Sequence, residues 1–150
     1  MNSLNYLKEI AIKKNLKIIS FSKKNNYSNI GLIKIIKNYS NLKLIIRVNN
    51  TRKDFIINQN LKPYLSNILA AVAVLSKYFN LNKIDKNIFF NFKIPKSRGE
   101  LVKIIFNKKS ILLTDESYNS NPLSLNFAVK NFDDFKTKKK KILVLSDMLE

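Results

Sequence analysis

ILLTDESYNSNPLSLNFAVKNF, residues 111–132, joins an apolar β-rich run to a segment with helical spacing. The junction, DESYNSNP at 115–122, gathers two acids, a tyrosine, two asparagines and a proline in a chain with two glycines and three prolines. Two readings compete. Asp/Asn chemistry followed by proline is what a loop feeding a helix N-terminus requires, with Pro122 in the first turn. An acid at the carboxyl end of a strand is also where open α/β sheets bind ligands. There Asp115 could accept hydrogen bonds from ribose hydroxyls or hold a metal, while the free N–H groups of the following helix favour an anion. Ser117, Asn119 and Asn121 would add neutral hydrogen-bonding groups. On these residues alone both readings stand.

Composition removes many chemistries. The chain has 150 residues, 45% hydrophobic and 25% charged, within the range of globular proteins. It contains no cysteine and no histidine, which excludes disulfides, thiolate sites, His-based nucleophile activation and most zinc geometries. No apolar run approaches the roughly 18 residues that would span a bilayer. The start, MNSLNYLKEIAIKKN, lacks the unbroken apolar core of a signal peptide, so the expected location is cytoplasmic, without membrane insertion. Net charge is +18, from 28 basic and 10 acidic residues. A basic nucleic-acid-binding module is therefore an alternative. Against it, the lysines are scattered and only Arg47, Arg52 and Arg98 supply the planar fork that reads phosphates and bases bidentately.

Working outward from the junction, residues 2–14 carry Leu4, Leu7, Ile10 and Ala11 at helical spacing, with Asn2 or Ser3 as N-cap. Residues 16–21 (LKIISF) read as a short buried strand. Residues 31–37, 42–48 and 53–58 are three β-rich runs separated by short polar turns, which predicts an antiparallel meander. Residues 63–79 predict a helix with Pro63 in its first turn and apolar residues around most of its circumference, hence buried. Residues 84–92 (IDKNIFFNF) fit a short helix or a strand. KIPKSRGE, residues 93–100, is the expected domain boundary, since it combines Pro95, Gly99 and charge. Residues 101–106 and 111–115 predict two strands around a turn. Residues 123–135 predict a helix with Leu125, Ala128, Phe132 and Phe135 on one face, and residues 141–147 (KILVLSD) a further strand. A strand–helix–strand order at this point implies a parallel pair with a right-handed crossover. One such unit cannot cover both faces of a parallel sheet, so the chain reads as the middle of a larger protein.

Three further residues are candidates. Arg98 in the glycine-containing junction can reach a phosphate or carboxylate, or simply be solvated. Asn67, in the first turn of the apolar helix, can read the donor and acceptor edge of an adenine, or cap and face solvent. Asp147, in SDMLE, is another acid at an expected strand end. A phosphate-cradling loop of the G-x-x-x-x-G-K-[ST] type is absent from these residues, because the two glycines are Gly31 and Gly99.

Taken in order, RGE (98–100), a strand, DESYNSNPLSL (115–125), a helix and LVLSDMLE (143–150) resemble the Mur ligases. The likeness is strongest to the member that joins D-alanyl-D-alanine to UDP-MurNAc-tripeptide, with its D-[DE]-S-Y-N-A-N-P-x-S-[ML] segment and a later strand ending in L-G-D-M-x-E. Ser120 stands where alanine is usual, and Ser146 where glycine is usual. Upstream, NILAAVAVL (67–75) resembles the family's N-x-L-A-A helix, although Leu61 and Pro63 occupy the places of its Gly-x-His.

The resemblance implies an α/β fold. Residues 1–97 would be the C-terminal part of a central ATPase domain (helix, strand, antiparallel meander, buried helix), and residues 98–150 the start of a Rossmann-like C-terminal domain. It implies ATP-dependent amide synthesis through an acyl phosphate in peptidoglycan synthesis, with ATP and Mg2+ as cofactors, most of their ligands lying outside these residues. UDP-MurNAc-peptide and D-Ala-D-Ala would be the substrates, and the complete protein a monomer. By position, Asn67 would contact the adenine, Arg98 the nucleotide near the domain hinge, and Asp115 or Glu116 the ribose. Ser117, Tyr118, Asn119 and Asn121 would shape the substrate cleft. A sister amide ligase, another Mur enzyme or folylpolyglutamate synthase, is the enzymatic alternative; those carry a histidine-containing loop where this chain has SYNSNP.

Overall fold

The computed structural model describes residues 3–24, 27–118 and 121–146. It divides into two compact units, Met1–Phe92 and Lys93–Glu150.

In the first unit, α1 (Ser3–Lys13) is followed by β1 (Phe21–Ser22), β2 (Ile30–Asn38), β3 (Asn41–Val48) and β4 (Thr51–Asn58). The sheet order is β1-β2-β3-β4, with β1 parallel to β2 and the remaining pairs antiparallel. The expected meander is present. Strict alternation in β3 explains its geometry, because successive side chains point to opposite faces. Leu42, Leu44, Ile46 and Val48 are buried on one face, while Asn41, Lys43, Ile45 and Arg47 are half-buried on the other. In β2 a bulge interrupts the pairing: Leu32 faces Ile46 and Lys34 faces Ile45, which leaves Ile33 unpaired and 45% exposed. Tight two-residue connections fix the other registers. Asn49, at φ 50°, begins the β3–β4 turn in the left-handed region that asparagine tolerates.

A 3₁₀ helix (Gln59–Tyr64) containing Pro63 leads into α2 (Leu65–Tyr78). The 3₁₀ segment packs against β3 and β4, and α2 against β1 and β2. Leu61, Leu65, Ile68, Leu69, Val72 and Ala73 close the core over Ile30, Leu44, Ile46, Phe55 and Ile57. The expectation that α2 is buried around most of its circumference is corrected: Val74 is 58% and Tyr78 74% exposed. A single sheet face can cover only one stripe of a helix, so apolar residues beyond that stripe remain in water.

Residues 16–21 do not form a buried strand. Pairing is confined to Phe21–Ser22, and Leu16, Ile18 and Phe21 are 59%, 45% and 44% exposed. β-Propensity reflects fit to a paired, half-covered surface, and here only the β2 side supplies a ladder among the described residues. Residues 84–92 are neither helix nor strand. They form successive turns, Ile88 N–H to Asp85 O, Phe90 to Asn87 and Phe92 to Phe89, after a short 3₁₀ helix at Leu81–Lys83. They are tied down by Ile56 N–H donating to Lys86 O, and by the Phe89 ring meeting Phe55 edge to face at 5.3 Å.

In the second unit, β5 (Glu100–Phe106) and β6 (Lys109–Asp115) form an antiparallel hairpin, followed by α3 (Pro122–Asp134). The strand–helix–strand expectation is corrected, because residues 141–146 pair with no strand; Asp147 lies outside the described residues. Ile142 and Val144 are 71% and 87% exposed. The segment is held by side chains instead. Lys139 Nζ donates to Ser110 O, and Lys141 Nζ donates to Phe132 O and Asp133 O, terminal carbonyls of α3 that need a donor. The expected α3 face is only half-buried at Leu125, Ala128 and Phe132, and Phe135 is exposed.

Phe55 is fully buried against Phe89 and the sheet core. Phe55→Ala is expected to destabilise the first unit by about 3–5 kcal/mol. Urea unfolding followed on β3 amide signals checks this, and a loss below about 1 kcal/mol would contradict the packing described.

Candidate functional site at the SRG turn and the DESY corner

The β5–β6 turn sets the register of the site. Asn107 and Lys108 have φ of 47° and 61°, the pair of left-handed residues that a two-residue type I′ hairpin turn needs. With Phe106 thus facing Lys109, the ladder runs to Glu100 facing Asp115. Beyond it, Gly99 N–H donates to Asp115 O at 2.8 Å. The SRG turn and the DESY corner are therefore neighbours because of a hairpin that closes about 20 Å away, at ~3.4 Å of strand per residue.

Three further hydrogen bonds lock the two turns. Ser97 Oγ donates to Asp115 Oδ2 at 2.8 Å, Ser117 N–H donates to Asp115 Oδ1 at 2.9 Å, and Tyr118 N–H donates to Ser97 O at 3.1 Å. Arg98 N–H closes the turn onto Pro95 O. Ser97 sits at φ 58° and Gly99 at φ 88°. A left-handed non-glycine residue costs roughly 1–2 kcal/mol, and such residues persist where surrounding bonds over-determine them. The turn directs the Arg98 guanidinium over the Tyr118 ring, 4.4 Å from its centroid.

Charge follows from these contacts. The Ser117 side chain and N–H and the Ser97 hydroxyl hold the Asp115 carboxyl below the usual carboxylate range. Glu116 is half-buried, and burial first, then the neighbouring charge of Asp115, push its carboxyl up. Two adjacent acids are thus driven apart in acidity by their surroundings, a pattern found at ligand sites and also in structural networks.

Of the residues singled out in the sequence, Arg98, Asp115, Glu116, Ser117 and Tyr118 come together here. Ser97 was missed; its sign in the sequence is a hydroxyl directly before an Arg-Gly pair, which has meaning only once Asp115 is known to lie opposite. Asn121 is the N-cap of α3. Its Oδ1 accepts from Ser124 N–H, and Ser124 Oγ accepts from Asn121 N–H, with Pro122 at the first helical position. Asn119 lies outside the described residues. Asn67 belongs to the other unit, exposed in the first turn of α2. A cleft of about 360 Å³ in that unit, between the β3–β4 turn and the residues after α2, contains none of these groups.

Known structures share this architecture. A crystal structure of MurF from Acinetobacter baumannii superposes with a TM-score of 0.62 over 85% of this chain at 19% identity. The chain has the fold of a segment of MurF. A second A. baumannii structure, of UDP-N-acetylmuramoylalanyl-D-glutamyl-2,6-diaminopimelate–D-alanyl-D-alanyl ligase, gives 0.61 over 86% at 21% identity. A third, another crystal structure of A. baumannii MurF, gives 0.59 over 86% at 20%. The chain spans 27–28% of the length of those proteins. No family model and no curated protein sequence matches it.

Because the folded-state acidity of Asp115 is increased, the corner's contribution is present above the unfolded-state pKa and is lost as pH falls through the lower folded-state value. The Ser117 amide signal should therefore titrate with a midpoint below that of an ordinary aspartate. A midpoint at or above the ordinary value would remove the proposed bonds. Glu116 has the opposite sign: its charged form is disfavoured in the fold, so its unfavourable contribution fades as pH falls through its raised range.

For the α3 cap, Asn121→Ala is expected to cost about 1 kcal/mol locally. That corresponds to roughly fivefold faster hydrogen exchange in the first turns of α3. Unchanged exchange there would mean the cap does not stabilise the helix.

Proposed function

We propose that this chain is a segment of an ATP-dependent amide ligase of the Mur type, of the kind that adds D-Ala-D-Ala to UDP-MurNAc-tripeptide. One observation carries the reading. RGE and the DESY part of DESYNSNP, ligase-like in sequence, meet in a corner locked through Ser97 and Asp115, on a chain whose fold is that of part of MurF. In this reading residues 1–97 end the central ATPase domain and residues 98–150 begin the C-terminal ligase domain. The enzyme is cytoplasmic and monomeric and works in peptidoglycan synthesis; no helix among the described residues is long and apolar enough to cross a membrane.

The corner suits part of a nucleotide. Arg98, a permanent cation on a ring face, matches a phosphate oxygen, and the carboxylates of Asp115 and Glu116 can accept from ribose hydroxyls. A guanidinium fixed before the ligand arrives needs no reorganisation as charge develops on a phosphoryl group. Asn67 contacts the adenine, and Ser117 and Tyr118 line the substrate cleft. Among the described residues no three acidic side chains converge, so these residues assign no magnesium ligand.

The test is a chimera in which A. baumannii MurF carries residues 93–118 of this chain in place of its own. Phosphate release dependent on D-Ala-D-Ala is expected to persist, and Arg98→Ala in the chimera to lower it at least about tenfold, the loss of one charge-assisted contact. A folded chimera without acceptor-dependent phosphate release would overturn the reading. The isolated 150-residue polypeptide, lacking a phosphate-cradling loop, is expected to release phosphate from ATP no faster than background.

A further inference from the structure

Besides the ligand hydroxyl that its position allows it to accept from, Asp115 engages its own chain. Each carboxylate oxygen already accepts a hydrogen bond from the chain, Oδ2 from the Ser97 hydroxyl and Oδ1 from the Ser117 N–H. Its backbone carbonyl accepts from Gly99 N–H, so one residue holds both flanks of Arg98. We infer that Asp115 and Ser97 are positioning residues that fix the Arg98 guanidinium on the Tyr118 ring and so aim it at an anionic, phosphate-bearing ligand.

The geometry favours this over a general structural role. Ser97 is held at φ 58°, a conformation serine does not choose unaided, and its hydroxyl reaches Asp115 from there. Arg98 is the next residue, so the φ of Ser97 sets the direction in which its side chain leaves the backbone. Tyr118 is three residues beyond Asp115, and its N–H returns to Ser97 O. Cation and ring are therefore registered to each other through the Asp115 carboxylate rather than through core packing. Arg98 and Tyr118 are both exposed, and neither is fixed by burial. An exposed arginine left to itself samples many rotamers, and restricting them in advance reduces what binding must order. The increased acidity of Asp115 agrees, since the ionised carboxylate is the form these donors favour.

The inference rests on the ligase reading for the identity of the ligand, but its geometry can be tested independently. The full 150-residue chain has three arginines, so the Arg98 Nε–H signal is assignable by its loss in Arg98→Lys. Tyr118→Leu identifies the part of its upfield shift that comes from the ring. Inorganic pyrophosphate serves as the anion probe, titrated by NMR. In Asp115→Asn, and separately in Ser97→Gly, which deletes the hydroxyl while leaving φ 58° accessible, the ring shift of Arg98 should collapse. Pyrophosphate affinity should fall about tenfold or more, while β5–β6 amide shifts away from the corner stay unchanged. Ser97→Ala should match Ser97→Gly if the hydroxyl, rather than backbone strain, is what matters.

A ring shift that survives Asp115→Asn overturns the positioning role. A ring shift that collapses with pyrophosphate affinity unchanged overturns the link between that position and anion binding. A wild-type chain that shows the ring shift but no pyrophosphate binding overturns it too. Pyrophosphate binding lost as expected in the variants, together with a chimera that is inactive, would uphold the positioning role and remove the ligase reading alone.

Discussion

The Asp115 carboxylate is the point at which sequence-distant parts of the second unit become one corner. Its two oxygens and its backbone carbonyl receive Ser97, Ser117 and Gly99, so residues 97–99 and 115–118 cannot move independently while it is ionised. The unit offers these residues little burial. Its hairpin buries no side chain fully, and α3 has no buried residue. Where the hydrophobic effect supplies little, specific polar geometry decides the conformation, and charge-assisted hydrogen bonds are the strong members of that class. The same bonds explain why two residues with positive φ are tolerated side by side with Arg98.

The first unit is built on the opposite principle. Its order comes from apolar alternation: β3 buries every second residue, Phe55 and Ile57 extend the same face, and α2 with the 3₁₀ segment closes it. Polar interactions there are peripheral. The Lys43–Asp54 ion pair, at 2.7 Å, joins two side chains that are each about 40% exposed, which places it among surface pairs of small effect. The Arg47 guanidinium, by contrast, donates to Ser28 O at 2.7 Å and lies over Gly31, where a Cβ would come within 2.7 Å of Nη2. Gly31 thus gives the arginine room to reach the loop before β2, which is a packing reason for one of the two glycines. Gly99, at φ 88°, has a conformational reason.

Much of this was legible in the sequence. Strands with period-two alternation and short polar turns declared the meander and the β5–β6 hairpin, because side-chain period and turn chemistry are local properties. The helix after Pro122 was local as well. The apolar runs at 16–21 and 141–146 were misread for one shared reason. Both have the composition of strands, but a strand exists only with a ladder partner, and composition does not say whether one is present. For 84–92, Phe89 is placed by a ring contact with Phe55, 34 residues away, and local pattern could not choose the turn conformation.

For the site, the sequence by itself determined the residue types: an arginine beside a glycine, an acidic pair, a tyrosine, and a motif order resembling the Mur ligases. Tertiary structure decided their roles. It brought Ser97 to Asp115 across 18 residues through the hairpin register, placed Arg98 on the Tyr118 ring, and committed Asn121 to capping α3. The physical reason is that a hydrogen bond depends on distance and direction to a few tenths of an ångström. Residue identity names the donors and acceptors, whereas the register of the two strands decides which of them meet.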